Sequence, residues 1–226
     1  AFEFVHPLTA LPQTEATMRW LMDRIERIGR SGDAVSRARQ TRLAEIMSMA
    51  DPELLRPYES ALRGTPDEYE VRQERISERL KFAATPLDEL WQALERFCEA
   101  SNDQRPFQDV DLSHAERLTE AIARHPGAAE RVMAWASLEV DEENAGADGW
   151  AEGLGVRMAG LMRLEAAAPI IASKLRIDTD WLREECNEAL GRIGADAALE
   201  PVASLFPDSS WDCRLYATGA LERLRS

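Results

Sequence analysis

The sequence predicts an all-α protein whose helices form an α-α superhelix of antiparallel hairpins. Apolar residues recur with helical spacing through most of the 226-residue chain. Runs of alternating apolar and polar residues, which would indicate strands, do not occur in the sequence. A segment in the last third of the chain repeats with a period of 31 residues, which is typical of stacked helical hairpins.

The first hundred residues are predicted to form an amino-terminal helical subdomain. Thr14 is placed to cap the first helix, because its hydroxyl can accept a hydrogen bond from a free backbone N–H. Gly29 ends that helix, and Pro52 is tolerated because it falls in a first turn. The predicted helices cover residues 14–28, 34–49, 52–62, 67–83 and 86–100.

Residues 101–112 are polar and contain a proline, so they are predicted to be a linker. Ser113 and Glu116 have the spacing of a capping box, which opens a repeat region over 113–226. This region is either a second subdomain or part of one continuous solenoid. Its predicted helices begin with 113–125 and 128–139, followed by a polar loop at 140–149 and a helix at 150–164.

The internal repeat is clearest where two copies align without a gap. Small residues at equivalent positions allow a neighbouring helix to approach closely, and larger apolar residues fill the seam. Each copy alone would leave an apolar face in water, so the copies are expected to stack. The second helices are predicted at 166–175 and 197–206, with Pro169 and Pro201 near their starts. The pairs that share the offset of 31 are Arg183/Arg214, Cys186/Ala217, Ala189/Ala220, Leu190/Leu221 and Ile193/Leu224.

The repeated pattern is R-x-x-A-x-x-A-L-x-x-I/L, with Cys186 replacing the first Ala in one copy and an Asp one turn earlier. It resembles the HEAT-like repeats of phycobilisome lyases, clearly over 166–226 and more weakly upstream. The resemblance implies a HEAT-like solenoid and leaves two functions open. One is a non-enzymatic scaffold that presents a concave helical surface to another protein. The alternative is a small-molecule- or chromophore-handling protein of the phycobilisome-lyase type.

Candidate partner-binding residues follow from this arrangement, because second helices usually line the concave side of a helical solenoid. The apolar residues of these helices are expected in the core. The polar residues expected to face a partner are Ser173, Arg176, Glu200 and Ser204.

Three tryptophans, Trp150, Trp181 and Trp211, recur 31 and 30 residues apart at predicted helix starts. They would form either an aromatic strip for a partner peptide or staples that pack each hairpin on its neighbour. We favour the staple, because apolar residues at helix starts commonly pack in this way.

The repeated arginines also have two interpretations. Arg183 and Arg214 could bind an acidic partner, or they could satisfy an acidic residue of the adjoining loop. We favour the second interpretation, with Asp178 and Asp208 as the partners.

The sequence shows no catalytic or metal-binding pattern, so we predict no cofactor, no metal and no catalytic residue, and favour a non-enzymatic protein. No histidine precedes a glutamate, which excludes the iron chemistry of the HEAT-type hydroxylases. The segment from Asp141 to Glu152 has a spacing like that of an EF-hand, but Ala145 replaces a ligand, so we interpret it as a solvated acidic loop. Cys186 aligns with Ala217 and is therefore predicted to be a core residue.

The amino-acid composition limits which partners the protein can bind and in which cellular compartment it is expected. The net charge of −14 comes from 27 basic and 41 acidic residues. Such an acidic surface disfavours nucleic acids and anionic membranes. The three cysteines are odd in number and lack CxxC spacing, as expected of free thiols. With no membrane-spanning run and no signal peptide in the sequence, we expect a cytoplasmic protein that binds another protein or a peptide.

We predict that the protein binds duplex DNA no better than a generic protein of similar negative charge. Phosphate contacts need clustered cations, which the composition does not favour. Salt-sensitive micromolar binding in a gel-shift assay would contradict this prediction and would indicate a local basic surface.

Overall fold

The structure is a computed structural model that describes residues 13–30, 32–65, 71–102, 110–140, 146–207 and 209–225. Helices and their connecting turns account for these residues, and no strand occurs among them. The all-α prediction is therefore confirmed for the described part of the chain. Within that part, no helix combines the length and the apolar character needed to cross a membrane.

Contacts within the chain divide it into two compact units, Ala1–Ala84 and Thr85–Ser226. The division falls earlier than the predicted linker at 101–112, of which residues 103–109 lie outside the described residues. The helix after residue 85 was expected in the amino-terminal subdomain. It groups instead with the second unit, because its apolar face, including the buried Trp91, packs on helices of that unit.

The first unit is built on a helical hairpin whose caps match the sequence prediction. The hydroxyl of Thr14 accepts a hydrogen bond from the backbone N–H of Thr17 at 3.2 Å. The predicted helix at 52–62 is interrupted by a 3-10 turn that contains Pro57, because proline has no N–H with which to donate the helical hydrogen bond. The helices are α1 (Glu15–Gly29), α2 (Ala34–Ser48), α3 (Pro52–Leu55), α4 (Glu59–Gly64) and α5 (Val71–Ala83).

Arginines on α5 tie this unit together through groups that would otherwise lack partners. Arg72 is fully buried and donates hydrogen bonds to Glu45 and to the carbonyl of Thr65. Arg79 donates to the carbonyl of Ala50 at 3.0 Å. Both carbonyls lie just beyond helix ends, where the last C=O groups have no partner within the helix. These arginines therefore complete the carboxyl ends of α2 and α4.

The second unit comprises α6 (Leu87–Asn102), α7 (Leu112–Ala123), α8 (Ala129–Ala136), α9 (Gly146–Leu161), α10 (Ala168–Lys174), α11 (Asp180–Ile193), α12 (Ala195–Ala203) and α13 (Trp211–Leu224). We call α7, α9, α11 and α13 the first helices of the hairpins, and α8, α10 and α12 the second helices. Among the first helices, α9 contacts α7 and α11, and α11 contacts α13. Among the second helices, α10 contacts α12.

Residues separated by 31 positions occupy equivalent places in α11 and α13. Cys186 and Ala217 are both fully buried, as are Ala189 and Ala220. Each of the two helices begins with the same backbone hydrogen bond, from Arg183 to Thr179 and from Arg214 to Ser210. The alignment of the two copies therefore corresponds to equivalent positions in space.

Glycines in α9 let its neighbours approach closely. A Cβ atom on Gly160 would lie 2.5 Å from the Cα of Ala189 in α11, and one on Gly155 would lie 2.6 Å from the backbone nitrogen of Ala136 in α8. Any side chain at these positions would force the backbones apart. Consequently, α9 is the central helix of the second unit.

Three expected helix boundaries are wrong. The N-cap of α7 is Asp111, whose carboxylate accepts a hydrogen bond from the N–H of Ser113 at 3.0 Å, so Ser113 does not open a capping box. Residues 146–149 of the predicted loop at 140–149 belong instead to α9, which begins at Gly146. Pro201 lies inside α12 instead of near its start, because Gly194 adopts a φ of 102° and lets α12 follow α11 directly.

We predict that Ala217→Trp and Cys186→Trp each lower the free energy of unfolding by about 1–3 kcal/mol, because overpacking a close helix contact displaces the backbone. The matched control is Thr218→Trp, at an exposed position next to Ala217, which should have little effect. Urea unfolding measures the three variants. An unchanged midpoint for both buried positions would contradict the helix packing described above.

Candidate functional site

All four polar residues that the sequence assigned to partner binding are exposed. Ser173 and Glu200 lie in α10 and α12, and Arg176 and Ser204 lie just beyond the ends of these helices. Among the apolar side chains of the same segments, the buried ones are Ile171, Leu175, Val202 and Leu205, whereas Leu199 of α12 is 51% exposed. Since α10 and α12 contact each other, polar residues of neighbouring repeats share this part of the molecule.

The two serines show how regularly the repeat is built. The hydroxyl of Ser173 donates to the carbonyl of Ile170, and that of Ser204 donates to the carbonyl of Pro201, both at 2.7 Å. The two bonds are separated by 31 residues in the sequence. Both hydroxyls are thereby oriented by their own helix, and each oxygen keeps acceptor capacity toward solvent.

Two of the three repeated tryptophans pack together. The rings of Trp150 and Trp181 are half-buried and lie 5.1 Å apart, and Phe97 of α6 lies 6.0 Å from Trp150. The Trp181 ring also covers Gly153, where a Cβ atom would come within 2.3 Å of it. This is the geometry expected of a staple between α9 and α11. Trp211, in contrast, is 73% exposed.

The two repeated arginines, Arg183 and Arg214, also differ in burial. Arg183 is buried and donates to Asp178 at 2.9 Å and to the carbonyl of Leu175 at 3.3 Å, which confirms the structural interpretation for this residue. Arg214 is exposed, and its predicted partner Asp208 lies outside the described residues.

A buried ion pair joins the hairpins at a position that the sequence interpretation missed. The ammonium group of Lys174 donates to the carboxylate of Glu152 and to the carbonyl of Leu138. Both side chains are about 95% buried, with relative exposures of 4% and 5%. The expectation that Glu152 belongs to a solvated acidic loop is therefore wrong, because Glu152 lies in a stretch of α9 that neighbouring helices bury. Residues 141–145 of that predicted loop lie outside the described residues.

The sequence offered one signal for this pair. Lys174 is one of only two lysines in the chain, the other being Lys81, and it lies directly beside Leu175 on the inward side of α10. A buried lysine requires a carboxylate nearby, since an unpaired charge in the interior is costly. The identity of the carboxylate could not be deduced from the sequence, because it depends on which helix packs beside Lys174.

A second network of ion pairs links successive first helices. Arg157 of α9 contacts Glu185 of α11 at 2.9 Å and Glu116 of α7 at 3.1 Å. Glu188 of α11 contacts Arg223 of α13 at 3.5 Å. Burial raises the pKa of Glu185, and the neighbouring carboxylates of Glu116 and Glu188 act in the same direction, whereas Arg157 opposes them. The network spans α7, α9, α11 and α13.

The cysteines are unsuited to nucleophilic chemistry. Cys98, Cys186 and Cys213 are free and buried. Burial raises the pKa of Cys98 to about 12 and also raises that of Cys186, so both thiols are uncharged at neutral pH, whereas the thiolate is the reactive form. Among the residues that the structure describes, no group of three or more His, Cys, Asp or Glu side chains is arranged to hold a metal ion.

One further aromatic contact was not predicted from the sequence. Trp91 of α6 and Trp135 of α8 meet edge to face, with ring centroids 4.7 Å apart. The guanidinium of Arg131 lies 4.6 Å from the Trp91 ring, within the range of a cation–π interaction. This cluster packs α6 against α8.

No family model, curated protein or solved structure matches the chain. The relation to HEAT-like repeats therefore stays a prediction that rests on the 31-residue repeat. The contacts between α9, α11 and α13 and between α10 and α12 are compatible with it.

We predict that Trp181→Ala destabilises the protein by on the order of 2–4 kcal/mol, because it removes a ring packed on Trp150 and Gly153. The matched variant Trp211→Ala removes an exposed ring and should leave the melting temperature nearly unchanged. Thermal unfolding followed by circular dichroism measures both. Equal losses of stability in the two variants would contradict the different environments of the two rings.

Proposed function

We propose that this protein is a non-enzymatic scaffold of HEAT-like repeats that binds another protein on the exposed face of α10 and α12. The observation that carries the proposal is the equivalent exposure of Ser173 and Ser204. They are held by the same hydrogen bond in two copies of the repeat. A surface on which the same groups recur in each repeat suits an extended partner, because such a partner contacts similar groups at regular intervals.

The packing of the interior favours a surface-binding function over the enclosure of a small molecule. Around α9, the positions of Gly153, Gly155 and Gly160 have no room for an additional carbon atom. The buried charges nearby are occupied with one another, as Lys174 is with Glu152. A chromophore-handling site would need a cavity lined with polar groups between the hairpins, whereas here Lys174 and Glu152 are bonded to each other.

The chemistry of the face suggests the kind of partner. Arg176 and Glu200 contribute one cation and one anion, and the serines contribute hydroxyl groups. Such a mixed and mildly polar surface, with the exposed Leu199 beside Glu200, suits a protein or peptide bound with moderate affinity. The partner is expected to carry charges of both signs.

A charge-reversed double variant tests this proposal without changing the net charge of the protein. Arg176→Glu combined with Glu200→Arg alters the proposed face. The matched control, Arg96→Glu combined with Glu99→Arg, alters two exposed residues of α6. The wild-type protein and both variants serve as bait in quantitative affinity purification from the source cells. We expect at least one protein to be recovered with the wild type and the control but lost with the variant of the second helices.

Two outcomes would argue against the scaffold. Equal recovery of every protein by all three baits would mean that the face of α10 and α12 is not used. A stoichiometric visible absorption band in the purified protein would favour the chromophore-handling alternative. Circular dichroism of both variants verifies that they are folded, since all four positions are exposed and should tolerate reversal.

A further inference from the structure

The contacts of α2 in the first unit identify its inward and outward sides. Ala44 and Met47 are fully buried, and a Cβ atom on Gly29 of α1 would lie 2.5 Å from the side-chain nitrogen of Gln40. Positions 40, 44 and 47 are four and three residues apart, so they share one side of the helix. The residues on the opposite side, which we call the basic face of α2, are Val35, Ala38, Arg39 and Arg42.

The basic face combines cations with apolar side chains in full view of solvent. All of its residues are exposed, and the exposed fraction of Val35 is 61%. From the first residue to the last, the face covers two helical turns, or about 10 Å along the helix axis. It is therefore a short surface that offers charge and apolar contact together.

The local charge is opposite in sign to that of the whole chain. Residues 30–42 contain four arginines and one aspartate, a net charge of +3, whereas the chain carries −14. The aspartate, Asp33, accepts hydrogen bonds from the N–H and the hydroxyl of Ser36 at the start of α2. The single acidic residue within α2, Glu45, contacts Arg72 and Arg75 of α5. Both carboxylates therefore already have partners of their own.

Arg39 has no carboxylate within reach on its own helix. The positions three and four residues away, which are its neighbours on the helix surface, hold Val35, Ser36, Arg42 and Leu43. Arg42 is of like charge, and like charges at this spacing destabilise a helix. The arrangement thus works slightly against the stability of α2, and it leaves a positive charge that an acidic partner can neutralise.

We propose that the basic face of α2 binds an acidic amphipathic helix of another protein. The planar guanidinium groups of Arg39 and Arg42 match the two oxygens of a carboxylate. Val35 contacts an apolar side chain of the same helix. A partner in which glutamates and apolar residues recur three or four positions apart presents both kinds of group on one side. The face is small, so the affinity is expected to be moderate.

Two features favour a polypeptide over a nucleic acid at this face. Val35 and Ala38 offer apolar surface, which the side chains of a peptide can cover and a phosphate backbone cannot. A duplex also extends well beyond a surface about 10 Å long, and its phosphates would be repelled by a chain whose net charge is −14. The proposal concerns the first unit and involves neither Arg176 nor Glu200, so it does not depend on the scaffold function.

Fluorescence anisotropy with the full chain tests the proposal. The probe is a fluorescein-labelled peptide with glutamates and leucines at helical spacing, and the control probe has glutamine in place of every glutamate. We expect the glutamate peptide to bind with a micromolar dissociation constant that rises with salt concentration, and the glutamine peptide not to bind. No salt-sensitive binding of the glutamate peptide, or equal binding of both peptides, would overturn the proposal.

A matched pair of double variants locates the binding on the chain. Arg39→Glu combined with Arg42→Glu reverses the charge of the basic face, and Arg19→Glu combined with Arg24→Glu makes the same change in net charge at exposed positions of α1. We expect the first variant to weaken binding at least roughly tenfold and the second to retain most of the wild-type affinity. Equal losses would overturn the proposal, because the peptide would then respond to net charge alone. Circular dichroism verifies that both variants are folded.

Val35→Ser tests the apolar part of the face. It should weaken binding of the peptide that contains leucine and leave the affinity for an all-glutamate peptide unchanged. An unchanged affinity for the leucine-containing peptide would overturn the amphipathic partner. Labelled duplex DNA and vesicles containing phosphatidylserine are expected not to bind. Tighter binding of either one than of the peptide, lost on reversal of Arg39 and Arg42, would overturn the proposal and assign the face to phosphate groups.

Discussion

The second unit depends on the close approach of α9 to the helices on either side of it. Three glycines of this helix, Gly153, Gly155 and Gly160, lie against the Trp181 ring, the α8 backbone and Ala189. Glycine in a helix costs roughly 1 kcal/mol relative to alanine. Here that cost is offset by the dispersion contacts that a shorter distance between helices permits. Because α9 is approached from several sides, a single enlarged position would disturb more than one helix contact.

Close packing in turn determines how charges are accommodated. When α9 is enclosed, Glu152 cannot reach water, and Lys174 satisfies its carboxylate from the neighbouring α10. Arg157, on another side of α9, reaches Glu185 and Glu116 on the flanking helices. Buried ion pairs contribute little net stability, but they penalise any arrangement in which a partner is missing. The pairs therefore favour one register of the hairpins over its alternatives.

The helical content, the 31-residue register and the exposure of the four polar residues on α10 and α12 were all accessible from sequence, because each follows from periodicity. The failures occurred where a nearby residue competed for the same role or where tertiary contacts overrode the local pattern. Ser113 was a plausible cap, but Asp111 reaches the free N–H groups first. Glu152 was counted with the acidic loop, although the predicted helix at 150–164 already contained it, and the packing of other helices around α9 buries its carboxylate. The tryptophan spacing correctly brought Trp150 to Trp181, but spacing alone does not show that Trp211 is exposed.

The distribution of cysteines has a consequence for how opening of the second unit can be observed. The chain has cysteines only at positions 98, 186 and 213, on α6, α11 and α13, and all three are buried. Stacked repeats can open one hairpin at a time instead of unfolding as a whole. Each thiol therefore serves as a native reporter of the helix that carries it, and the order in which the thiols become accessible to a labelling reagent records the order in which those helices detach.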